Sequence, residues 1–225
     1  MNQHPNTLAA NQLALDQIRG LPAEAFRKAD LSPDTAFYVH ARLVTHIDAG
    51  AIAAVTAIYR DVLPAGGDIL DLMSSWVSHL PPEVGYRSVT GHGMNAAELE
   101  ANPRLTAHFV QDFNADPALP LAENAFDGAC QCVSVQYLQR PVEVFSEVRR
   151  VLRPGAPFVV SFSNRCFPSK AVAIWQALDG ADQQRLVAAY MQAAGFTGVA
   201  GRTAIPLRGD PLWAVIGHAP EGSPS

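Results

Sequence analysis

Apolar positions along this chain follow two rhythms that alternate. Across residues 35–62, Val39, Leu43, Val44, Ile47, Ile52, Val55 and Tyr59 recur at helical spacing. Ser32-Pro33-Asp34 suits a helix start, because serine can accept from the free amides of the first turn and proline fits its first position. Gly50 is a point where this helix can break, and Pro64-Ala65-Gly66-Gly67 ends it. The second rhythm is the short continuous run. Asp68 to Leu72 is mostly apolar and ends in an acid, which suits a buried strand opening onto a loop. Further strands are expected over residues 86–90, closing on Gly91-His92-Gly93, and over 105–110, 126–135, 157–163, 197–205 and 212–217.

Helices fall between these runs. Asn95 caps one that ends near residue 101, and Pro141 opens one whose apolar face is Val144, Phe145, Val148, Val151 and Leu152. Two more cover residues 170–178 and 182–194, the last ending at Gly195, while Pro81-Pro82 leaves room for only a short helix after the first strand. This alternation predicts an α/β fold, a doubly wound, mostly parallel seven-stranded sheet with an N-terminal helical extension. The expected layout is an arm and helical lid over 1–65, a sheet domain over 66–219 and a disordered tail over 220–225. Within the arm, residues 1–20 are polar, with Leu13, Leu15 and Ile18 the only hint of an amphipathic helix.

Composition narrows the class. With 225 residues, 48% hydrophobic and 16% charged, the chain can bury a full core. A net charge of −5 argues against a nucleic-acid binder with a broad basic surface. No apolar stretch reaches the roughly 20 residues a membrane span needs. The polar start lacks the pattern of a secretory leader, and three cysteines without framework spacing fit a reduced interior, so a cytoplasmic protein is expected. In a parallel open sheet the ligand lies at the carboxyl ends of the strands. Asp71 leaves a buried strand at that end, so it either caps the turn or binds the hydroxyls and amine of a ribose-bearing cofactor.

Several motifs at matching separations resemble the class I S-adenosylmethionine-dependent methyltransferases, in particular the branch acting on small molecules. These are Ile69-Leu70-Asp71-Leu72, Val89-Thr90-Gly91, Gln111-Asp112-Phe113, Leu119-Pro120-Leu121 with Phe126-Asp127, and Tyr137-Leu138 followed by Pro141. The most specific is Glu147-Val148-Arg149-Arg150-Val151-Leu152-Arg153-Pro154-Gly155, and Ala194-Gly195-Phe196 adds to it. The resemblance implies a Rossmann-like methyltransferase fold over about 66–217, S-adenosyl-L-methionine as cofactor and a small-molecule acceptor as partner, with neither nucleic acid nor membrane. It places the cofactor against Asp71, Met73, Ser74, Ser75, His92, Gly93, Met94, Asn95, Asp112, Phe113 and Cys132.

Two departures fall in that site. The family follows its first acid with spaced glycines, where this chain has Met73, Ser75 and Val77. The acid that usually accepts both ribose hydroxyls is replaced by Gly93, with His92 or Asn95 as substitutes offering fewer acceptors. The chain therefore either binds the cofactor in a modified pose or is a repurposed, non-catalytic relative that binds a ligand or partner without methyl transfer.

Methyl transfer from a sulfonium needs alignment and, for a protonated acceptor, a base. His46, His79, His92 and Tyr137 are candidates, and His46 and Tyr137 are assigned the catalytic role. The other reading of His46 is a helix-flank histidine bonded to backbone or water. Arg42, one helical turn before His46, either grips an acidic substrate or lies on solvated surface, and Tyr38 either lines the lid against the substrate or packs in the core; Gln136, Asn164 and Arg165 at strand exits are expected to contact the substrate. On the fourth strand, Cys130, Cys132, Ser134 and Gln136 are expected to point one way and Gln131, Val133, Val135 and Tyr137 the other. Cys130 and Cys132 lack the second ligand pair of a zinc site, so no metal is expected. Trp76 either stacks on a flat ligand or packs as a wall.

Overall fold

The computed structural model describes residues 16–206 and 208–222; part of the expected arm and the end of the tail lie outside them. Its strands are β1 (Asp68–Leu72), β2 (Ser88–Gly93), β3 (Ala107–Val110), β4 (Gly128–Cys132), β5 (Pro157–Phe162), β6 (Thr197–Ala204) and β7 (Leu212–His218). Its helices are α1 (Asp34–Phe37), α2 (Ala49–Val62), α3 (Ala96–Glu100), α4 (Pro141–Val151), α5 (Ala173–Ala177) and α6 (Gly180–Ala193). The strands form one sheet in the order β3-β2-β1-β4-β5-β7-β6. β1 to β5 run parallel, and β7 lies antiparallel between β5 and β6.

Alternate residues of the central strands serve two cores. Ile69, Cys130, Val159 and Ile216 pack with Val55 and Tyr59 of α2. Leu70, Ala129, Phe158, Val160 and Val215 join Phe145, Val148, Val187 and Tyr190 of α4 and α6. Covering on both faces is what makes β1 and β5 read as unbroken apolar runs. Each large aliphatic side chain buried this way contributes about 1.5–3 kcal/mol.

Four expectations are corrected. The helix over 35–62 is two pieces, with residues 38–48 irregular between α1 and α2. The break falls at Asp48, whose carboxylate accepts from the Ala51 amide at 2.9 Å and caps α2; Gly50 lies inside its first turn. Val39, Leu43 and Val44 had helical spacing but are 55–62% exposed, so no core selected a helix there. β4 ends at Cys132, because Val133 has φ 47° and a 3₁₀ turn follows over Val135–Tyr137. The predicted alternation beyond Cys132 therefore fails. Residues 73–87 contain no helix, and the helix expected over 170–178 shortens to α5.

The N-terminal segment is clamped to the sheet domain. Lys28 bridges Val172, and the Asp30 amide donates to the Ser169 carbonyl at 2.8 Å. Fully buried Lys170 donates to the Ser32 carbonyl at 2.7 Å and pairs with Asp30 at 3.1 Å and Asp34 at 3.3 Å; Lys28 also pairs with Asp34. Two buried lysines are thus satisfied by two aspartates, which fixes where α1 starts.

Candidate active site

A cavity of about 280 Å³ opens at the carboxyl ends of β1, β2 and β4. The strand order reverses between β1 and β4, which is where open parallel sheets bind ligands. Asp71 stands at that point and is 3% exposed. Its partners are the Ser74 hydroxyl, donating at 2.6 Å, and the Cys130 thiol at 3.6 Å. Burial pushes the Asp71 carboxyl up to about 6, against the lowering effect of the Ser74 and Ser78 hydroxyls and Cys130. No cation offsets its charge among these partners.

The loop after β1 folds down onto the end of β2. The Ser74 amide donates to the His92 carbonyl at 2.6 Å, and the Met73 amide donates to His92 Nδ1 at 3.2 Å. His92 Nε2 therefore carries the proton and donates to the Gln111 carbonyl at 2.9 Å, while the ring stacks on Phe113 at 3.7 Å. Burial pushes His92 down to about 4, so it is a neutral brace whose two nitrogens are both engaged. Gly93 is required by the same contact: a Cβ there would lie 2.7 Å from the Ser74 carbonyl oxygen. An acid, which the resemblance leads one to expect at this position, would meet the Ser74 backbone and the Leu99 side chain.

Strain gathers around the cavity. Met73, His79 and Val133 line it and have φ of 50°, 44° and 47°, a region that costs a non-glycine residue about 1–3 kcal/mol. Neighbours hold two of them in place. Thr56 Oγ1 donates to the His79 carbonyl at 2.9 Å, and the Val133 amide donates to the Ser161 carbonyl at 2.7 Å.

Residues 38–48 form a lid over one side. Asn95, which caps α3 by accepting from the Glu98 amide, also donates to the Tyr38 carbonyl at 2.9 Å. Glu98 lines the cavity at 9% exposure and accepts from the Arg42 amide and the Ser75 hydroxyl, both at 2.7 Å. Trp76 is not in the cavity wall: its indole donates to the lid carbonyl of Val44 at 3.0 Å. Arg42 lines the cavity with its guanidinium 4.6 Å from the Phe37 ring centre and bonded to the Phe37 carbonyl. His46 lines it too, edge-on to Phe167 at 5.5 Å, and burial holds its pKa below the usual 6.5.

On the far side, Asp112 accepts from the Asn114 amide at 2.9 Å, and Asn114 donates to Asp34 and to the Tyr137 carbonyl. Ser75, Met94, Phe113 and Cys132 complete the expected cofactor residues found in the wall, and burial pushes the Cys132 thiol up to about 12. Ser134 also lines the cavity, and its buried hydroxyl has no protein partner. The Tyr137 hydroxyl accepts from the Phe167 amide at 2.9 Å, and burial pushes it up to about 12. Arg165 reaches the cavity while its Nε donates to Asp210 at 2.7 Å. Gln136 and Asn164 do not line it. Gln136 is buried and donates to the Val133 carbonyl, and Asn164 is exposed. Among the described residues no His, Cys, Asp and Glu cluster is suited to a metal, and no helix is long and apolar enough to cross a membrane.

Sequence reasoning missed Glu98, Ser134 and Phe167. Glu98 left one usable signal, an acid one turn beyond the Asn95 cap; Ser134 was assigned to a strand that ends before it.

Comparison with known proteins agrees with the sheet order. A model of the methyltransferase domain family matches residues 76–160. A chain from the Haloferax volcanii complex of the Trm112 methyltransferase activator with a methyltransferase superposes with TM-score 0.59 at 16% identity, covering 78% of this chain and 92% of that one. A Thermotoga maritima SAM-dependent methyltransferase, described as a possible histamine N-methyltransferase, gives 0.56 at 16% identity over 76% and 89%. Phosphoethanolamine N-methyltransferase 2 of Haemonchus contortus, in complex with S-adenosyl-L-methionine, gives 0.54 at 13% over 73% and 52%. Among curated proteins, the bifunctional biotin-biosynthesis protein BioHC of Teredinibacter turnerae is 39% identical over 44 residues, which is 20% of this chain and 8% of that protein.

Proposed function

We propose that this chain is a class I S-adenosylmethionine-dependent methyltransferase, a reading supported by the methyltransferase-domain model over residues 76–160 and by the fold it shares with solved methyltransferases, and that it binds S-adenosylmethionine in this cavity and transfers the methyl group to a small-molecule acceptor. One observation carries the reading: Asp71, at the switch point, is a buried carboxylate whose partners are serine hydroxyls and a thiol, with no cation among them. An amine or hydroxyl of an amino-acid-bearing nucleoside completes its hydrogen bonding. The unpartnered Ser134 hydroxyl supports the same fit, and Met73, Ser75 and Val77 narrow the cavity without closing it.

When bound, S-adenosylmethionine supplies a methyl group on a cationic sulfur, so the protein's tasks are alignment and proton removal. Asp112 and Phe113 hold the adenine end, and Asp71 with Ser74 holds the side nearest β1. Tyr38 and Arg42 on the lid and Arg165 opposite bind the acceptor, whose chemistry is that of a small molecule with an acidic group. His46 is the base, because its lowered pKa leaves it neutral and able to accept a proton at pH 7. Tyr137 stays protonated and orients the acceptor as a donor.

The second reading, ligand binding without methyl transfer, is favoured by one observation, the closed position at Gly93. Calorimetry and thermal unfolding with S-adenosylmethionine and S-adenosylhomocysteine separate the two. At a hundred times its dissociation constant either ligand adds about 2.7 kcal/mol to stability. Asp71→Ala and Asp112→Ala each lose that gain while remaining folded. No gain for the native chain with either ligand gives the case to the second reading.

A further inference from the structure

We propose that Glu98 on α3 is the carboxylate that accepts the vicinal hydroxyls of the nucleoside, in place of the acid that position 93 cannot carry. This rests on the reading of the cavity as a nucleoside site and assigns a residue to its sugar. Position 93 is closed by backbone, since the Ser74 carbonyl would meet a Cβ at 2.7 Å and the Leu99 side chain at 3.1 Å. No side-chain choice there restores a carboxylate without moving the loop.

Glu98 lies one turn into α3, is 9% exposed and lines the same cavity as Asp71, Gly93 and Asn95. Its two oxygens accept one donor each, Oε1 from the Arg42 amide and Oε2 from the Ser75 hydroxyl, both at 2.7 Å. A vicinal diol presents the same thing, two donors to two carboxylate oxygens. Neither existing donor is a charge that locks the carboxylate: one belongs to the lid and the other to the loop. His92 and Asn95, the other polar groups near the end of β2, are already committed. His92 uses both ring nitrogens, and Asn95 spends its amide on the lid and its oxygen on α3.

Two consequences follow from the shared acceptor. The diol displaces the Ser75 hydroxyl, so Ser75 acts as an internal competitor. It also loosens the Arg42 amide, so occupancy of the sugar position is felt by the lid.

The test is titration calorimetry on the full chain with S-adenosylhomocysteine and its 2′,3′-dideoxy analogue. Removing the diol is expected to weaken binding to the native chain by about tenfold to a hundredfold, the worth of hydrogen bonds to a charged acceptor. In Glu98→Gln, which keeps the size of the side chain, that gap shrinks to about threefold or less, as expected when the interacting pair is deleted from a double-mutant cycle. Ser75→Ala is expected to tighten S-adenosylhomocysteine by about threefold and to leave the dideoxy analogue unchanged, which decides the matter if Glu98→Gln does not fold. A gap of the same size in Glu98→Gln and in the native chain overturns the assignment and leaves the nucleoside reading standing. Failure of both ligands to bind the native chain overturns that reading and this one with it. Weaker binding of S-adenosylhomocysteine to Ser75→Ala also counts against the proposal, because it makes Ser75 a direct contact.

Discussion

β1 carries two aspartates three residues apart, and they have opposite fates. Asp68, at the amino end, is bonded by Arg87 and by the Ser88 hydroxyl at 2.7 Å, with Arg153 at 3.5 Å. These bonds hold its carboxyl well below the usual carboxylate range. Asp71, at the carboxyl end, has a hydroxyl and a thiol, and burial pushes it up to about 6. One end of the strand compensates its charge within the protein, and the other keeps a carboxylate at a cost to stability. The comparison separates an acid that serves the fold from one whose charge the fold leaves uncompensated, which is the acid the proposed function assigns to a ligand. Asp34 shows that position near the cavity is not the criterion. It lines the wall, yet it is paired with Lys28 and Lys170, as Asp68 is paired with arginines.

The strongest way to break the comparison is to remove internal compensation. Lys170→Met leaves Asp34 and Asp30 short of a cation inside the N-terminal clamp and is expected to cost about 3–5 kcal/mol in denaturant unfolding. A cost near zero would place Asp34 with Asp71. Next is Asp71→Asn. A carboxyl raised from 3.8 to about 6 favours the protonated native state, so its contribution is fully present below pH 4 and is lost as pH rises through about 6. The amide variant is therefore expected to be more stable than the native chain by up to about 3 kcal/mol above pH 6, equal to it below pH 4, and unable to bind S-adenosylmethionine. Melting curves across pH 4–8 check the sign. His92, pushed down to about 4, works in the other direction, since its neutral form loses ground as pH falls from 6.5 through 4.

Asp68→Asn is expected to reverse the pattern. Its depressed carboxyl contributes stability above its ordinary pKa and loses it as pH falls below that, so the variant is weaker at neutral pH and indistinguishable in strong acid. With Arg87 largely exposed and screened, the loss is about 1–2 kcal/mol, and ligand binding is unchanged. The smallest effect is that of Trp76→Phe. Without the indole N–H to the Val44 carbonyl the lid closes less firmly by about 0.5–1.5 kcal/mol, read as faster amide exchange over residues 38–48 with the melting temperature of the sheet unmoved.

The central strands were legible because they are buried on both faces, and their apolar runs cannot be satisfied elsewhere. Asp71 was legible because it ends such a run. The lid was not, since Val39, Leu43 and Val44 copy a helix spacing without a core to face, and what shapes residues 38–48 is bonding to Asn95, Glu98, Trp76 and Asp210. Residues past Cys132 were misread because a left-handed Val133 gives no sign in a string of apolar letters, and the Ser161 carbonyl that holds it is nearly thirty positions away in the chain.

Local order of apolar and polar residues thus determined the sheet, its parallel sense, the cap at Asn95 and the acid at the end of β1, because each depends on neighbours in the chain or on a burial requirement written into the run itself. The tertiary structure alone decided that position 93 is closed by Ser74, that Glu98 faces the cavity and that Trp76 faces the lid. Those outcomes are set by atoms brought together from separate loops, and hydrogen bonds between distant segments leave no periodicity in the sequence.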